Sequence, residues 1–564
     1  MSWPSSLALP LPHSRRPLPA HRRAVTPTAL VLLAALWLTG PANWPLWRSV
    51  AALSELGDPA RLGFGLALGG IVFALLTALL GLMAWCRTLR PAVSAGLLIS
   101  AVTAHFMGSY GVVIDPSMIV NALGTDAREV RDLLDVRLAL SLALLAGLPL
   151  LWLWRTPLAC ARPAAAALRN AALLALGLSS AAALTLIDYQ DLASVMRTHK
   201  ALRYEISPLN ALYSVARAAQ ARAPQEAPLP IGLDAHPQAL RAGQQVPLVL
   251  LVIGETARAD HFALNGYRRD TTPALRALDV LSFRHVSACG TNTAASLPCM
   301  LSAVGRERHE TREHDSENLL DLLQRAGLAV LWVENQAGCK GVCNRVPHTR
   351  PEQPAAGAVP PDTTLCPGGE CFDGALLQGL DERLAALPAE RRARGVVLVL
   401  HQMGSHGPAY AARSPAGHKP FQPECHSTAL SQCEPQALLN AYDNSIAYTD
   451  ALLAQAIGWL QRQDAYDPAL LYLSDHGESL GENGLYLHGM PRSVAPAEQT
   501  HVPMIAWLPP RRLAADRLDA GCLRGQLDVA LSHDHLFHTV LGLARVSASE
   551  YRAPLDAFAP CRSE

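Results

Sequence analysis

Two hydrophobic patterns divide the chain near residue 190. A membrane-spanning helix needs roughly 20 apolar residues to cross a hydrocarbon core of about 30 Å. Before residue 190, five apolar runs of about that length are bounded by charge, at roughly 27–47, 63–86, 91–113, 137–154 and 168–187. Gly40 and Pro41 interrupt the first run. Residues 1–190 are therefore predicted to form an α-helical bundle of five transmembrane spans.

The arginine positions predict how this bundle is oriented. Arginines gather before span one, between spans two and three, and between spans four and five: Arg15, Arg16, Arg22, Arg23, Arg87, Arg90, Arg155, Arg162 and Arg169. The opposite loops hold Glu55, Asp58 and a stretch of mixed charge. Because cytoplasmic loops are enriched in lysine and arginine, an odd number of spans exports everything after residue 190. A cleaved signal peptide is the alternative for the first run, but the long segment before it and four later spans favour an anchor.

Residues 115–135, DPSMIVNALGTDAREVRDLLD, form an amphipathic segment in one of the outer loops. Apolar side chains recur there at helical spacing, at Met118, Ile119, Ala122, Val130 and Leu133. The pattern fits a helix that lies on the outer bilayer surface. It fits an ordinary amphipathic loop helix equally well.

The exported part begins with a proline-containing linker and continues as a compact domain. Residues 191–240 are predicted to form a helical periplasmic linker, and residues 241–564 a catalytic domain. Short apolar runs alternate there with amphipathic helices such as 316–325 and 438–461; the runs are PLVLLVIGE, AVLWVEN, GVVLVLHQM, ALLYLSDHGE and HVPMIAWL. Uninterrupted apolar strands are typical of a mainly parallel sheet that is covered on both faces. The sequence thus predicts an α/β domain.

Polar residues follow four of these strands at the point where each strand ends. They are Glu255, Asn335, His401, His406, Asp475 and His476. A polar turn residue is the ordinary explanation at any single strand end. Because sites in open α/β sheets lie at the carboxyl ends of the strands, the repetition favours a shared site.

The residue types at these strand ends suit zinc chemistry. Zinc takes four ligands from imidazole, carboxylate and hydroxyl or water oxygen, and Glu255, Asp475 and His476 supply three of them. The fourth is expected in CGTNTAASLPCML, 289–301, where hydroxyls open an apparent helix, a place that favours a phosphoryl group. A metal-activated hydroxyl there would be a nucleophile, whereas a plain helix cap is the alternative; the candidates are Thr291, Thr293 and Ser296.

Further side chains could handle protons and phosphate charge, or hold a second metal between histidines. They are Lys340, His401, His406 and His488, each of which could instead be structural. Lysine plus arginine equals aspartate plus glutamate, 47 each, so the basic excess of a nucleic-acid-binding surface is missing. Partners of that class are therefore excluded.

Cysteine usage agrees with export to an oxidising compartment. Ten of the twelve cysteines follow residue 190. They form close pairs, with a long-range fifth pair of Cys522 and Cys561 left open: Cys289 with Cys299, Cys339 with Cys343, Cys366 with Cys371, and Cys425 with Cys433. Zinc–cysteine knuckles are the alternative, but the spacings do not repeat as matched CxxC units. Disulfides are predicted.

Five motifs together resemble the bacterial lipid A phosphoethanolamine transferases, membrane enzymes of the sulfatase and alkaline phosphatase superfamily. They are GETARADHF at 254–262, CGTNTAASLPCM at 289–300, NQAGCKGVC at 335–343, GSHGPAY at 404–410 and SDHGESLGENGLYLHG at 474–489. The five spans and the stretch 188–210 resemble that family too. Asn292 stands where the family more often has serine or alanine.

The resemblance implies a set of roles. It implies that Thr293 is the nucleophile and that Glu255, Asp475 and His476 join it around zinc. It further implies a phosphoethanolamine pocket, sometimes with a second zinc ion, that is formed by Asn335, Lys340, His401, His406 and His488.

The resemblance also implies the reaction. Phosphatidylethanolamine would give its phosphoethanolamine to Thr293 and release diacylglycerol, after which lipid A would collect the group, with resistance to cationic peptides and polymyxin as the consequence. Core oligosaccharide or another periplasmic glycan remains an alternative acceptor, and phosphoglycerol transfer an alternative reaction. We expect a monomer in the inner membrane.

Two other classes are disfavoured by the residues. A sulfatase needs a C/S-x-P-x-R stretch, which 289–301 lacks. A transporter or sensor would be expected to bury charges in its spans, and these runs are almost free of charge.

Overall fold

The computed structural model describes residues 24–53, 58–125, 130–131, 133–221, 227–353, 362–367 and 370–563. Glu55 and the arginines expected before the first span, Arg15, Arg16, Arg22 and Arg23, lie outside the described residues. So do residues 126–129 and 132 of the amphipathic segment. The described elements fall into a helical bundle, a linker and an α/β domain.

Within the described residues, five helices are long and apolar enough to span a membrane, as predicted: Pro27–Ala51, Arg61–Leu82, Leu89–Tyr110, Val136–Arg155 and Pro163–Ile187. The first consists of α1 (Pro27–Thr39) and α2 (Trp44–Ala51), which a turn at Pro41–Asn43 separates. The second and third are α3 (Asp58–Leu82) and α4 (Leu89–Tyr110). The fourth, α6, contains a π-helical turn at Leu142–Gly147, and the fifth is α7 (Pro163–Ile187).

The amphipathic segment 115–135 contributes a short helix, α5 (Pro116–Gly124), that lies against the α/β domain. The Asp115 side chain caps it by accepting from the Met118 amide at 2.8 Å. Ser117 and Gly124 accept hydrogen bonds from Asn292 and Lys340 of the α/β domain, at 3.3 and 3.1 Å. The described part of the segment is thus a bridge between the bundle and the α/β domain.

The linker runs along the outer end of the bundle as α8 (Tyr189–Thr198), a 3₁₀ turn (Lys200–Glu205) and α9 (Leu209–Ala221). It is tied to the membrane helices by polar contacts. Ser207 shares a hydrogen bond with Thr103 at 2.6 Å, and the Asn210 amide donates to the Ile114 carbonyl at 2.6 Å.

An eight-stranded sheet forms the centre of the α/β domain. Its strands are β1 (Val246–Gly254), β2 (Leu281–Ser287), β3 (Ala329–Glu334), β4 (His348–Thr349), β5 (Val396–His401), β6 (Tyr466–Ser474), β7 (His501–Trp507) and β8 (Leu531–Ser532). The spatial order is β8-β2-β7-β6-β1-β5-β3-β4. Only β7 runs antiparallel to its described neighbours, β2 and β6. The predicted mainly parallel sheet is confirmed.

Both faces of this sheet are buried, which is why its strands are continuously apolar. Residues 248–253 of β1 are fully buried, and burying each such side chain stabilises the fold by about 1.5–3 kcal/mol. One face packs beneath α11 (Leu319–Arg325), whose first turn is closed by a capping box of Asn318 and Asp321. The other packs beneath α12 (Pro435–Gln461). These are the two helices expected from the sequence.

Shorter helices complete the domain: α10 (Thr293–Met300), and Pro273–Arg276, Arg306–Thr311, Leu380–Ala386, Ala389–Arg392, Pro510–Ala515, Ala520–Gly525 and Leu536–Leu543. Disulfides join the four close cysteine pairs and also Cys522 with Cys561. A sixth joins Cys86 with Cys160 in the bundle, a pairing that the sequence did not suggest.

Candidate active site

The parallel pairing of β1 and β6 brings three metal-type ligands together. Gly254 pairs with Ser474, so the residues that follow, Glu255 and Asp475, leave the sheet side by side. His476 is next in the chain. Its Nε2 lies 3.3 Å from Glu255 Oε1 and 3.3 Å from Asp475 Oδ2. One ligand atom from each side chain lies within 4.8 Å of the others, and all three side chains are buried.

Burial and close approach shift the pKa values of these three side chains. Burial opposes ionisation of Glu255, but the adjacent His476 holds its pKa well below the usual range. Burial and the neighbouring Glu255 charge raise the pKa of Asp475 to about 7. Although burial opposes it, the charges of Asp475 and Glu255 raise the pKa of His476 to about 10. Two buried carboxylates and one imidazole thus lie within mutual reach, an arrangement that a bound cation would stabilise.

Atoms without partners fit a metal at this position. Asp475 Oδ2 and His476 Nε2 are buried and have no hydrogen-bond partner in the described structure. His476 donates from Nδ1 to the Gly477 carbonyl at 2.9 Å, which directs Nε2 toward the carboxylates. A backbone contact of this kind commonly orients a metal-binding imidazole. Two carboxylates, one imidazole and a hydroxyl are a donor set suited to zinc.

Of the three candidate hydroxyls, Thr293 is the one that faces this cluster. It begins α10 and donates to both oxygens of Glu255, at 3.1 Å each. The Thr291 hydroxyl donates instead to the Met490 carbonyl at 2.6 Å, and that of Ser296 donates to the Asp475 carbonyl. Both of these hydroxyls are therefore hydrogen-bonded to backbone carbonyls and not to the carboxylates of the cluster.

Asn292, which stands where the resembled family more often has serine or alanine, caps the start of α10. Its side chain accepts from the Ala295 amide at 3.0 Å and donates to Ser117 of α5 at 3.3 Å. It therefore fixes the helix start that carries Thr293 and ties that start to the membrane-side bridge.

His401, at the end of β5, lies next to the cluster. It is hydrogen-bonded to Glu334, a residue that was not predicted from the sequence. Its Nδ1 donates to Glu334 at 3.0 Å, and its Nε2, which lacks a partner, lies 4.0 Å from Glu255 Oε2. Against the effect of burial, the Glu334 and Glu255 charges raise the pKa of His401. Glu334 is the last residue of β3, directly before Asn335, so the strand-end pattern offered a signal one residue away.

His406 and His488 stand beside His476. The ring centroids of His476 and His488 are 4.4 Å apart, and those of His406 and His488 are 5.3 Å apart. Burial lowers the pKa of His406 and of His488 to about 3 in each case, so both are neutral. His488 Nδ1 donates to Glu478 at 3.2 Å. Glu478 lies inside the 474–489 motif but was not singled out from the sequence.

The hydrogen bonds of Asn335 and Lys340 go to residues outside the metal-type cluster. The Asn335 amide donates to Asp373 at 2.8 Å and to the Cys371 carbonyl at 3.0 Å. Lys340 donates to the Gly124 carbonyl at the end of α5, at 3.1 Å. These contacts tie the two side chains to loops and to α5, whereas His401, His406 and His488 lie beside the cluster.

His533, 244 residues from Cys289 in sequence, braces the site from behind. It accepts from the Cys289 amide at 3.1 Å through Nδ1 and donates from Nε2 to the Ser474 carbonyl at 2.9 Å. Burial lowers its pKa to about 3, so it is neutral and can do both. It thereby links the segment before Thr293 to the residue before Asp475, and no local sequence signal marks it.

An apolar cavity of about 500 Å³ opens beside His406 and His488. Its walls come from α4, α5, α9 and the loops that carry the two histidines. Its lining extends from the membrane-type helix α4 to His406 and His488 and is mostly apolar.

Fold and site together define a membrane-anchored enzyme of the sulfatase class. The sulfatase family model matches residues 247–546, and the family model for phosphoethanolamine transferase EptA/EptB matches residues 72–223. Phosphoethanolamine transferase EptA of Salmonella typhimurium is 37% identical over 557 residues, which cover 95% of this chain and 97% of that protein. Phosphatidylethanolamine transferase Mcr-1 of Escherichia coli is 37% identical over 546 residues, 94% and 97% of the two chains.

A solved structure resembles nearly the whole molecule. The integral membrane lipooligosaccharide phosphoethanolamine transferase A of Neisseria meningitidis has a TM-score of 0.88 and 32% identity, over 95% of this chain and 99% of that chain. This chain belongs to the phosphoethanolamine transferase family.

Proposed function

We propose that this chain transfers phosphoethanolamine from phosphatidylethanolamine to lipid A, through a phosphoethanolamine–Thr293 intermediate, in the periplasm at the bacterial inner membrane. The observation that carries the proposal is the Thr293 hydroxyl, which donates to Glu255 inside the buried cluster with Asp475 and His476. The names of the relatives support phosphoethanolamine as the transferred group and lipid A as the acceptor.

The cluster would hold zinc through Glu255, Thr293, Asp475 and His476. Bound there, zinc would act as a Lewis acid on a phosphoryl oxygen and lower the pKa of the Thr293 hydroxyl. The buried atoms without partners on Asp475 and His476 support this assignment.

In the first half of the reaction, the Thr293 oxygen forms a bond to the donor phosphorus while the bond from phosphorus to the glycerol oxygen breaks. The Thr293 hydroxyl proton passes to Glu255, which accepts its hydrogen bond and so fixes the direction of attack. The backbone amides at the start of α10 favour the phosphoryl charge. His401, whose Nε2 has no partner and whose pKa is raised, is placed to protonate the departing diacylglycerol.

In the second half, an oxygen of the acceptor attacks the same phosphorus and the bond to Thr293 breaks. Thr293 then regains its proton from Glu255, and the proton of the acceptor hydroxyl passes to His401, which restores the starting state. Neutral His406 and His488 leave the pocket free of extra positive charge, which favours the ammonium of the transferred group. The product carries an added ammonium, which lowers the negative surface charge that attracts cationic peptides.

The apolar cavity beside His406 and His488 would receive the acyl chains of the donor. Asn335 and Lys340 complete the proposed headgroup pocket from the side of α5. We also propose that residues 1–190, 191–240 and 241–564 act as membrane anchor, linker and periplasmic catalytic domain.

Mass spectrometry of lipid A and core from cells with and without this chain tests the function. Lipid A is expected to gain phosphoethanolamine when the chain is present and to gain none with Thr293→Ala. Thr291→Ala is a matched control that removes a hydroxyl next to the site and should retain transfer. Phosphoethanolamine on core alone, or phosphoglycerol on any glycan, would contradict the proposed acceptor or the proposed group.

A further inference from the structure

Besides the apolar cavity, the described structure contains a polar one of about 470 Å³. It lies at the junction of the bundle, the linker and the α/β domain. Ser49 and Leu53 line it from the outer end of the first span, and Ser493 and Val494 from the α/β domain. The linker adds four residues: His199, Ala201, Leu202 and Glu205. None of the residues placed in the active site lines this cavity.

Glu205 gives the cavity a defined chemistry. One of its carboxylate oxygens, Oε1, accepts from the Ser49 hydroxyl at 3.1 Å. The other, Oε2, is buried and has no hydrogen-bond partner in the described structure. Leaving a buried carboxylate oxygen unpaired is costly, and burial accordingly raises the pKa of Glu205 to about 7. A cation with N–H donors would remove that cost.

Arg48 is a cation whose charge favours ionisation of Glu205. It donates to the Gly108 carbonyl at 3.2 Å, and its guanidinium lies 5.2 Å from the centre of the Trp44 ring. It does not bond to Glu205 Oε2, so that oxygen is left to a ligand.

The last turns of the first span place the cavity at the expected level of the lipid headgroups. Ser49 belongs to the last turns of the first span, Pro27–Ala51, and Trp44 and Trp47 precede it in α2. Tryptophans gather where membrane meets water. A ligand with a primary ammonium and a nearby phosphate at this depth is an aminophospholipid.

We infer that this cavity is a second lipid site, separate from the catalytic one, at which Glu205 binds the primary ammonium of an outer-leaflet phosphatidylethanolamine. The N–H donors of such a headgroup would bond to Glu205 Oε2, with Ser49 and Ser493 as further polar groups in the cavity lining. A trimethylammonium headgroup has no N–H donor and is rejected. The site would bind an aminophospholipid against both the linker and the α/β domain.

Native mass spectrometry of the full chain in phosphatidylcholine nanodiscs with added phosphatidylethanolamine tests this. The Thr293→Ala background prevents consumption of the donor, so lipid retention is measured without turnover. Adding Glu205→Gln should remove one retained phosphatidylethanolamine, or weaken its binding by roughly tenfold or more, as expected for loss of one charged hydrogen bond. Adding Glu390→Gln, an exposed acid on another surface, should leave retention unchanged.

The glutamine side chain can still accept from Ser49, so the melting temperature in pure phosphatidylcholine should not change. Ser49→Ala, which leaves the carboxylate in place, should give a smaller loss. Equal retention by Glu205→Gln and its parent would overturn the inference, as would an equal loss in the Glu390→Gln control. The inference takes one point from the proposed function, namely that the cavity opens on the periplasmic side of the membrane. If the chain does not modify lipid A but still retains phosphatidylethanolamine through Glu205, the proposed function is refuted and this inference is not.

Discussion

Both carboxylate oxygens of Glu255 accept a hydrogen bond from the Thr293 hydroxyl, at 3.1 Å each. The two residues come from different elements, the end of β1 and the start of α10. Thr293 thereby joins the buried cluster that Asp475 and His476 complete. The proposed nucleophile and the metal-type ligand set thus lie together in the structure without a bound substrate.

Substitutions of the proposed metal ligands should lower both zinc content and activity, whereas substitution of Thr293 should lower activity alone. Asp475→Asn and His476→Ala are expected to lose zinc and about 10³-fold or more in kcat/KM. Thr293→Ala should lose activity to the same extent and keep the metal, because Glu255, Asp475 and His476 remain. Elemental analysis of the purified variants beside a chelator-treated wild type makes the comparison. Zinc loss in Thr293→Ala equal to that in His476→Ala would count against this division of roles.

The Cys289–Cys299 disulfide should matter more than a remote one. It brackets the segment that carries Thr293, with a sequence separation of 10. Replacing both cysteines by alanine is expected to cost about 2–5 kcal/mol in free energy of unfolding and to lower transfer. The matched control, Cys425→Ala with Cys433→Ala, removes a disulfide of separation 8 and should spare transfer in the folded protein. Equal transfer rates in the two double variants would refute the bracing role.

The stability of the site should fall in acid through His533. Burial lowers its folded pKa to about 3, whereas the unfolded value is about 6.5. The unfolded chain therefore binds more protons between these limits, and stability is lost as pH falls from about 6.5 toward 3, by up to about 1.4 kcal/mol per pH unit. His533→Gln can keep an acceptor and a donor without titrating.

Thermal unfolding of both proteins across this range measures the difference. His533→Gln should be less stable at neutral pH and show a shallower loss in acid. Parallel curves for the two proteins would mean that His533 does not titrate on unfolding as its burial requires.

Topology is tested by a reporter. A phosphatase fused after residue 240 should be active outside the cytoplasm, because five candidate spans precede that point and the arginine bias predicts a cytoplasmic side before the first of them. A reporter that is active only in the cytoplasm would invalidate the compartment and the access to lipid A together.

Much of this architecture could be predicted from short stretches of sequence. Apolar runs predicted the spans. Glu255, Asp475 and His476 could be predicted to share a site because they follow the ends of two strands, β1 and β6, which pair in parallel. Residues whose roles depend on tertiary placement were not predictable in this way. His533 contacts Cys289 across 244 residues of chain, and Glu334 acts through His401.

The helix assigned to residues 115–135 shows the same limit. Its periodicity predicted an amphipathic helix but could not show what covers it, since the partner surfaces at Asn292 and Lys340 come from the distant α/β domain. The choice of Thr293 among three hydroxyls was likewise implied only by family resemblance. The contacts of Thr291 and Ser296 with backbone carbonyls supply the physical reason.

Peptide mapping after incubation with donor and no acceptor tests the central claim most directly. The purified chain, given phosphatidylethanolamine alone, should release diacylglycerol and retain phosphoethanolamine on one peptide, with the group on Thr293. Thr293→Ser should retain a weaker adduct at the same position, and Thr293→Ala should retain none. An adduct on Thr291 or Ser296, or turnover by Thr293→Ala, would contradict the account.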